Sequence, residues 1–182
     1  RPVLVDGLRT STELRRGLER GEVVPYFQPI VDLAGGHVVG FEVLARWLHP
    51  ERGLLLPGQF MPLAEEAGLM GELGERVLRD SLSQLARCRA VGLSFATCSL
   101  AVNIASQQLV DDTFVDVVAD ALGETGIDAD SLWLEITETA MMADTNAATR
   151  ALRGLRGLGL HLSVDDFGTG YSSLTYLKRF PV

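Results

Sequence analysis

Four short runs with a period of two, Val38–Arg46, Ser99–Ile104, Leu132–Thr137 and Leu160–Asp165, are separated by stretches whose apolar residues recur at helical spacing. Such strand–helix alternation calls for parallel strands joined by right-handed crossovers. A polar side chain stands at or near the end of each run: Glu42, Asn103, Glu135 and Asp165. In a barrel of parallel strands those ends converge on one mouth, where such folds place their chemistry.

The beginning of the chain departs from that pattern. Thr10 and Glu13 read as a capping box for a helix carrying Leu14 and Leu18 and ending near Gly21. The strand-like run Val23–Val31 then meets Val38–Arg46 through Asp32-Leu33-Ala34-Gly35-Gly36. A parallel pair needs a crossover of about a dozen residues, so this connection makes an antiparallel hairpin. Helices are expected over Phe60–Ala67, Leu69–Ala90, Ser106–Leu122 and about Thr145–Leu158, the last stopped by Gly157 and Gly159. Ser172 and Ser173 read as N-caps of a further helix through Leu174 and Leu177. The count is five strands.

Composition narrows the function. With 24 acidic and 16 basic residues, net −8, the domain repels nucleic-acid polymers, and a small anionic ligand needs metal ions to supply positive charge. No run of eighteen apolar residues is present, so no membrane contact is expected. Cys88 and Cys98 lack metal spacing and read as buried free thiols in a reducing cytoplasm. His37 and His49 read as loop residues, and His161 as a residue packed in the lumen. The chain starts at Arg1 without a signal-like segment, which suggests a piece of a longer protein.

The strand ending in Asp165-Asp166 carries the sharpest chemistry. Two adjacent carboxylates repel unless a cation lies between them, although Asp-Asp-x-Gly also occurs as a solvated turn. The following Gly168-Thr169-Gly170-Tyr171 is no phosphate loop, because Tyr171 stands where a Lys is needed. A dinucleotide fingerprint would want glycine at Ser173. Glu42, Asn103, Glu135, Asp165 and Asp166 offer oxygen donors only, which suits Mg²⁺ or Mn²⁺ rather than Zn²⁺. Five such groups exceed what one Mg²⁺ takes from protein, so two ions are expected, the usual device for phosphoryl transfer. Arg46 shares a face with Glu42 and Leu44 and can hold a phosphate or pair with Glu42. Asn103 alone could cap the next helix, and Glu138 could bond loop amides.

Glu42-Val43-Leu44-Ala45-Arg46, Val102-Asn103-Ile104, Leu134-Glu135-Ile136-Thr137-Glu138 and Asp165–Leu174 together resemble the EAL-domain cyclic di-GMP phosphodiesterases. Tyr26-Phe27-Gln28-Pro29-Ile30 and Pro62-Leu63-Ala64-Glu65-Glu66 extend the resemblance over nearly the whole chain, in order. The resemblance implies an α/β fold, a modified TIM-type (β/α)8 barrel with an antiparallel first strand, incomplete here at about five strands. Residues 1–182 are then one such domain lacking its C-terminal portion.

The implied function is hydrolysis of cyclic di-GMP to linear pGpG with two Mg²⁺ or Mn²⁺ ions; the alternative is an inactive receptor or dimerisation scaffold. By position, Glu42, Asn103, Glu135, Asp165 and Asp166 would ligate metal, with Glu42 and Asp165 catalytic. Gln28, Leu44 and Arg46 would contact substrate, and Glu138 would anchor the Phe167–Ser173 loop. A homodimer, a cytoplasmic setting and further signalling domains in the parent chain are also implied. The family's catalytic Lys is expected after Val182, since Lys178 falls in the helix after the glycine loop. The segment by itself is therefore expected to be neither a stable monomer nor active.

Overall fold

A computed structural model of the chain describes residues 2–93, 97–165 and 180, and for residues 2–10 the backbone only. Strand β2 (Val38–His49) is the hub of the sheet. Along one edge it pairs antiparallel with β1 (Val23–Val31), in register from Val23 opposite Trp47 to Ile30 opposite Gly40. The hairpin loop closes through Asp32, whose carbonyl accepts from Gly36 N–H at 2.8 Å. Gly36 lies at φ 67, the left-handed region that favours glycine.

The other edge of β2 is shared. Gly40–Val43 pair in parallel with β4 (Ser99–Ile104), while Trp47–His49 pair antiparallel with the short β3 (Gly53–Leu55). β4 continues in parallel to β5 (Leu132–Thr137), and β5 to β6 (His161–Asp165). The strand order is β1-β2-β4-β5-β6, with β3 beside β2. Helices α1 (Pro2–Glu19), α2 (Pro57–Glu66), α3 (Met70–Ala90), α4 (Ser106–Leu109), α5 (Phe114–Thr125), α6 (Glu138–Ala143) and α7 (Thr145–Gly157) complete the layers. Among the described residues no helix is long and apolar enough to cross a membrane.

The period of two decides which face is buried. Val102, Leu134 and Leu162 lie in one cross-strand row and are all buried, together with Val43, Leu100, Ile104, Leu132 and Ile136. Burying each such Leu or Ile stabilises the fold by about 1.5–3 kcal/mol relative to exposure. The helices cover this face: Leu73, Val77, Leu78, Leu82 and Leu85 on α3, with Ala148, Leu152 and Leu155 on α7. The opposite face of the same strands carries Glu42, Asn103, Glu135 and Asp165.

Several expectations need correction. Among the described residues the sheet has six strands rather than five, because β3 is only three residues long and carries no period to read. α1 runs from Pro2, so Thr10 lies inside the helix and is not its cap. The expected helix Ser106–Leu122 is two helices, broken where Asp111 Oδ1 accepts from both the backbone N–H and the hydroxyl of Thr113. His49 is the buried end of β2 rather than a loop residue; its Nδ1 accepts from the N–H groups of Glu51 and Arg52. The expected helix after Ser172 lies outside the described residues.

Helix α7, which returns the chain to β6, begins at a side-chain cap. Asp144 Oδ1 accepts from Asn146 N at 3.0 Å and Ala147 N at 2.9 Å. Asp144→Ala strands both donors and is expected to cost about 1 kcal/mol, read as a lower chemical-denaturation midpoint at unchanged m.

Candidate active site

Four adjacent strands deliver four oxygen-bearing side chains to one region. Asn103 and Glu135 stand level as in-register partners of β4 and β5. Glu42 is level with Ala101, one same-face step behind Asn103. Asp165 is level with Thr137, one same-face step ahead of Glu135. From β2 to β6 the donors thus advance by two same-face steps of about 6.6 Å each, one between β2 and β4 and one between β5 and β6.

Two observations link the side chains. Asn103 Nδ2 donates to Glu42 Oε1 at 3.2 Å, so Asn103 turns toward Glu42 and does not cap the next helix, whose N-cap is Ala105. Burial pushes the Glu135 carboxyl above the ordinary carboxylate range, and the negative charges of Glu42 and then Asp165 push it further. A carboxyl whose proton affinity is raised by two neighbouring carboxylates lies in a region short of positive charge. That shortage and an all-oxygen donor set fit a hard divalent cation. Among the described residues no three His, Cys, Asp or Glu side chains lie close enough to hold a metal ion by themselves. Asn103 is an amide outside that set, and Asp166 lies outside the described residues.

The substrate-facing candidates line the same face. Gln28 on β1 is opposite Glu42, and Tyr26 is opposite Leu44. Arg46 makes no ion pair with Glu42 among the described residues. Its Nη1 donates to Ala45 O at 2.9 Å, and its guanidinium lies 5.6 Å from the centre of the Tyr26 ring. A cavity of about 520 Å³ opens between the sheet and the helices, lined by Val43, Met61, Leu73, Val102, Ile104 and Ala140 among others; of the described candidate site residues, only Leu44 and Asn103 reach it.

Residues 11–182 match the EAL domain family. The chain belongs to that family. It is 44% identical over 177 residues to an uncharacterized protein of Mycobacterium tuberculosis, covering 96% of this chain and 28% of that one. Over 174 residues it is 43% identical to the bifunctional diguanylate cyclase/cyclic di-GMP phosphodiesterase MucR of Pseudomonas aeruginosa, covering 96% and 25%. The chain therefore spans about a quarter of the length of these curated relatives. Among solved structures, the PaMucR phosphodiesterase in complex with c-di-GMP superposes with a TM-score of 0.86 at 42% identity, covering 94% of this chain and 68% of that one. The α/β sheet with its antiparallel first strand is accordingly an open part of the TIM-like EAL barrel.

In this EAL domain Glu138 opens α6, directly after Thr137, whose Oγ1 caps the helix by accepting from Ala140 N at 3.3 Å. The Phe167–Ser173 loop that Glu138 is expected to anchor, and Lys178, lie outside the described residues. His161 does pack in the lumen, stacked on Trp133 at 4.4 Å between ring centroids and 17° between planes. Tyr26 shares this face with Gln28 and Arg46. The signal was available, since period two on β1 puts it on the Gln28 face.

Proposed function

We propose that this EAL domain hydrolyses one phosphodiester of cyclic di-GMP, giving linear pGpG, with two Mg²⁺ or Mn²⁺ ions. The observation that carries the reading is that Glu42, Asn103, Glu135 and Asp165 share one face of four adjacent strands, with only oxygen atoms to offer a cation. The c-di-GMP complex of PaMucR supports the choice of ligand. Glu42, Asn103, Glu135 and Asp165, with Asp166 beside them, would hold the ions. Bound there, such ions activate water and neutralise charge on the phosphodiester.

The chain's own residues do the rest. Arg46 offers a planar fork of donors to the non-bridging phosphate oxygens, which fixes the phosphorus for in-line attack. Leu44 lies one same-face step from Arg46, and Gln28 stands across from Glu42, so both face the ligand beside the phosphate. Water adds to phosphorus, the bond to the 3′ oxygen breaks, and that oxygen leaves protonated. The proposal includes a cytoplasmic homodimer with further signalling domains; the bifunctional relative MucR supports the last of these.

The test is incubation of the intact protein with cyclic di-GMP and Mg²⁺ or Mn²⁺, with products separated by chromatography. Conversion to pGpG that stops on chelation is expected. Tight binding without conversion over hours would favour a receptor.

A further inference from the structure

Arg46 is the one cation on the ligand-facing row of β2, and a free arginine side chain samples many rotamers. Here two groups restrain it. Ala45 O accepts from Nη1 at 2.9 Å, and the Tyr26 ring lies under Cζ at 5.6 Å. That distance is within the range in which a guanidinium is attracted to an aromatic face. Tyr26 is 45% exposed, so its ring adds little to the core and needs another explanation for its place. The hairpin supplies the geometry, because Tyr26 pairs with Leu44 and lies one same-face step from Arg46.

We propose that Tyr26 is a positioning residue for Arg46: its ring face holds the guanidinium ready for a phosphodiester oxygen of the ligand. The phenol hydroxyl is not required. The ligand class rests on the function proposed above, while the pre-positioning itself is a property of the ligand-free protein and is measured there.

Two measurements test it in the intact protein. In the ligand-free state, NMR of the Arg46 guanidinium should show a ring-current shift that survives Tyr26→Phe and disappears in Tyr26→Leu. An Arg46 signal unchanged by Tyr26→Leu overturns the proposal whether or not the protein binds a cyclic dinucleotide. In titrations with cyclic di-GMP, Tyr26→Leu should weaken binding about two- to fivefold, with kcat within twofold and Tyr26→Phe near wild type. In an Arg46→Ala background, Tyr26→Leu should add no further loss. Equal weakening by Tyr26→Phe would mean that the hydroxyl contacts the ligand. Undiminished weakening in the Arg46→Ala background would mean that the ring acts without Arg46. Either result overturns the proposal. Failure of every form, wild type included, to bind cyclic di-GMP would count against the proposed function and leave the guanidinium shift to decide the role of Tyr26.

Discussion

Glu42→Gln is expected to lower turnover of cyclic di-GMP by about a thousandfold or more while raising the melting temperature of the metal-free protein slightly. The two effects have one cause. Glu42 adds its charge to a region where it already burdens Glu135, so removing that charge relieves repulsion in the absence of metal. Gln keeps an oxygen to accept from Asn103 Nδ2, so the local geometry survives. What is lost is a carboxylate ligand, and a metal contributes several kcal/mol of transition-state stabilisation, each 1.36 kcal/mol being tenfold in rate. Melting with and without Mn²⁺ separates the effects: wild type should gain stability from the ion and the variant should gain less. A variant that melts lower than wild type without metal would contradict the electrostatic reading.

Trp47→Ala should be the most damaging single change in the described core, at about 3–5 kcal/mol, and is expected to lower the melting temperature by roughly 10 °C or more. Trp47 is fully buried on the helix side of β2, immediately after Arg46. Its ring meets Phe60 of α2 edge-on at 6.1 Å and His49 at 4.8 Å. α1 passes so close that a Cβ on Gly17 would stand 2.7 Å from the indole nitrogen. The indole N–H donates to Glu22 Oε2 at 3.2 Å, tying the start of the hairpin to the end of β2. Calorimetry of the variant decides the matter; a loss below about 1 kcal/mol would mean that the site collapses around the cavity.

The contrast between these two positions explains what could be read from the sequence. Strands buried on one face announce themselves by alternation, and Glu42, Asn103, Glu135 and Asp165 fall on the open face of β2, β4, β5 and β6 because the period is two. The six-residue connection after Val31 left only a hairpin. Elements whose cause is a single side-chain bond were missed. Asp111 turns the chain between α4 and α5, and Thr137 starts α6, each through one short polar side chain. The Thr10/Glu13 pair misled because its spacing also occurs inside helices, where no N–H is left to cap. β3 was invisible because it is held by its pairing with Trp47–His49 rather than by any pattern of its own. At the site, the oxygen donors were legible one by one; the Arg46–Tyr26 contact was not, because it crosses between strands.

The decisive measurement is anomalous X-ray scattering from crystals of the protein grown with Mn²⁺ and cyclic di-GMP. Manganese peaks bounded by Glu42, Asn103, Glu135 and Asp165, with a phosphate of the dinucleotide against them, are the expected result. A bound dinucleotide with no manganese among those four side chains would contradict it.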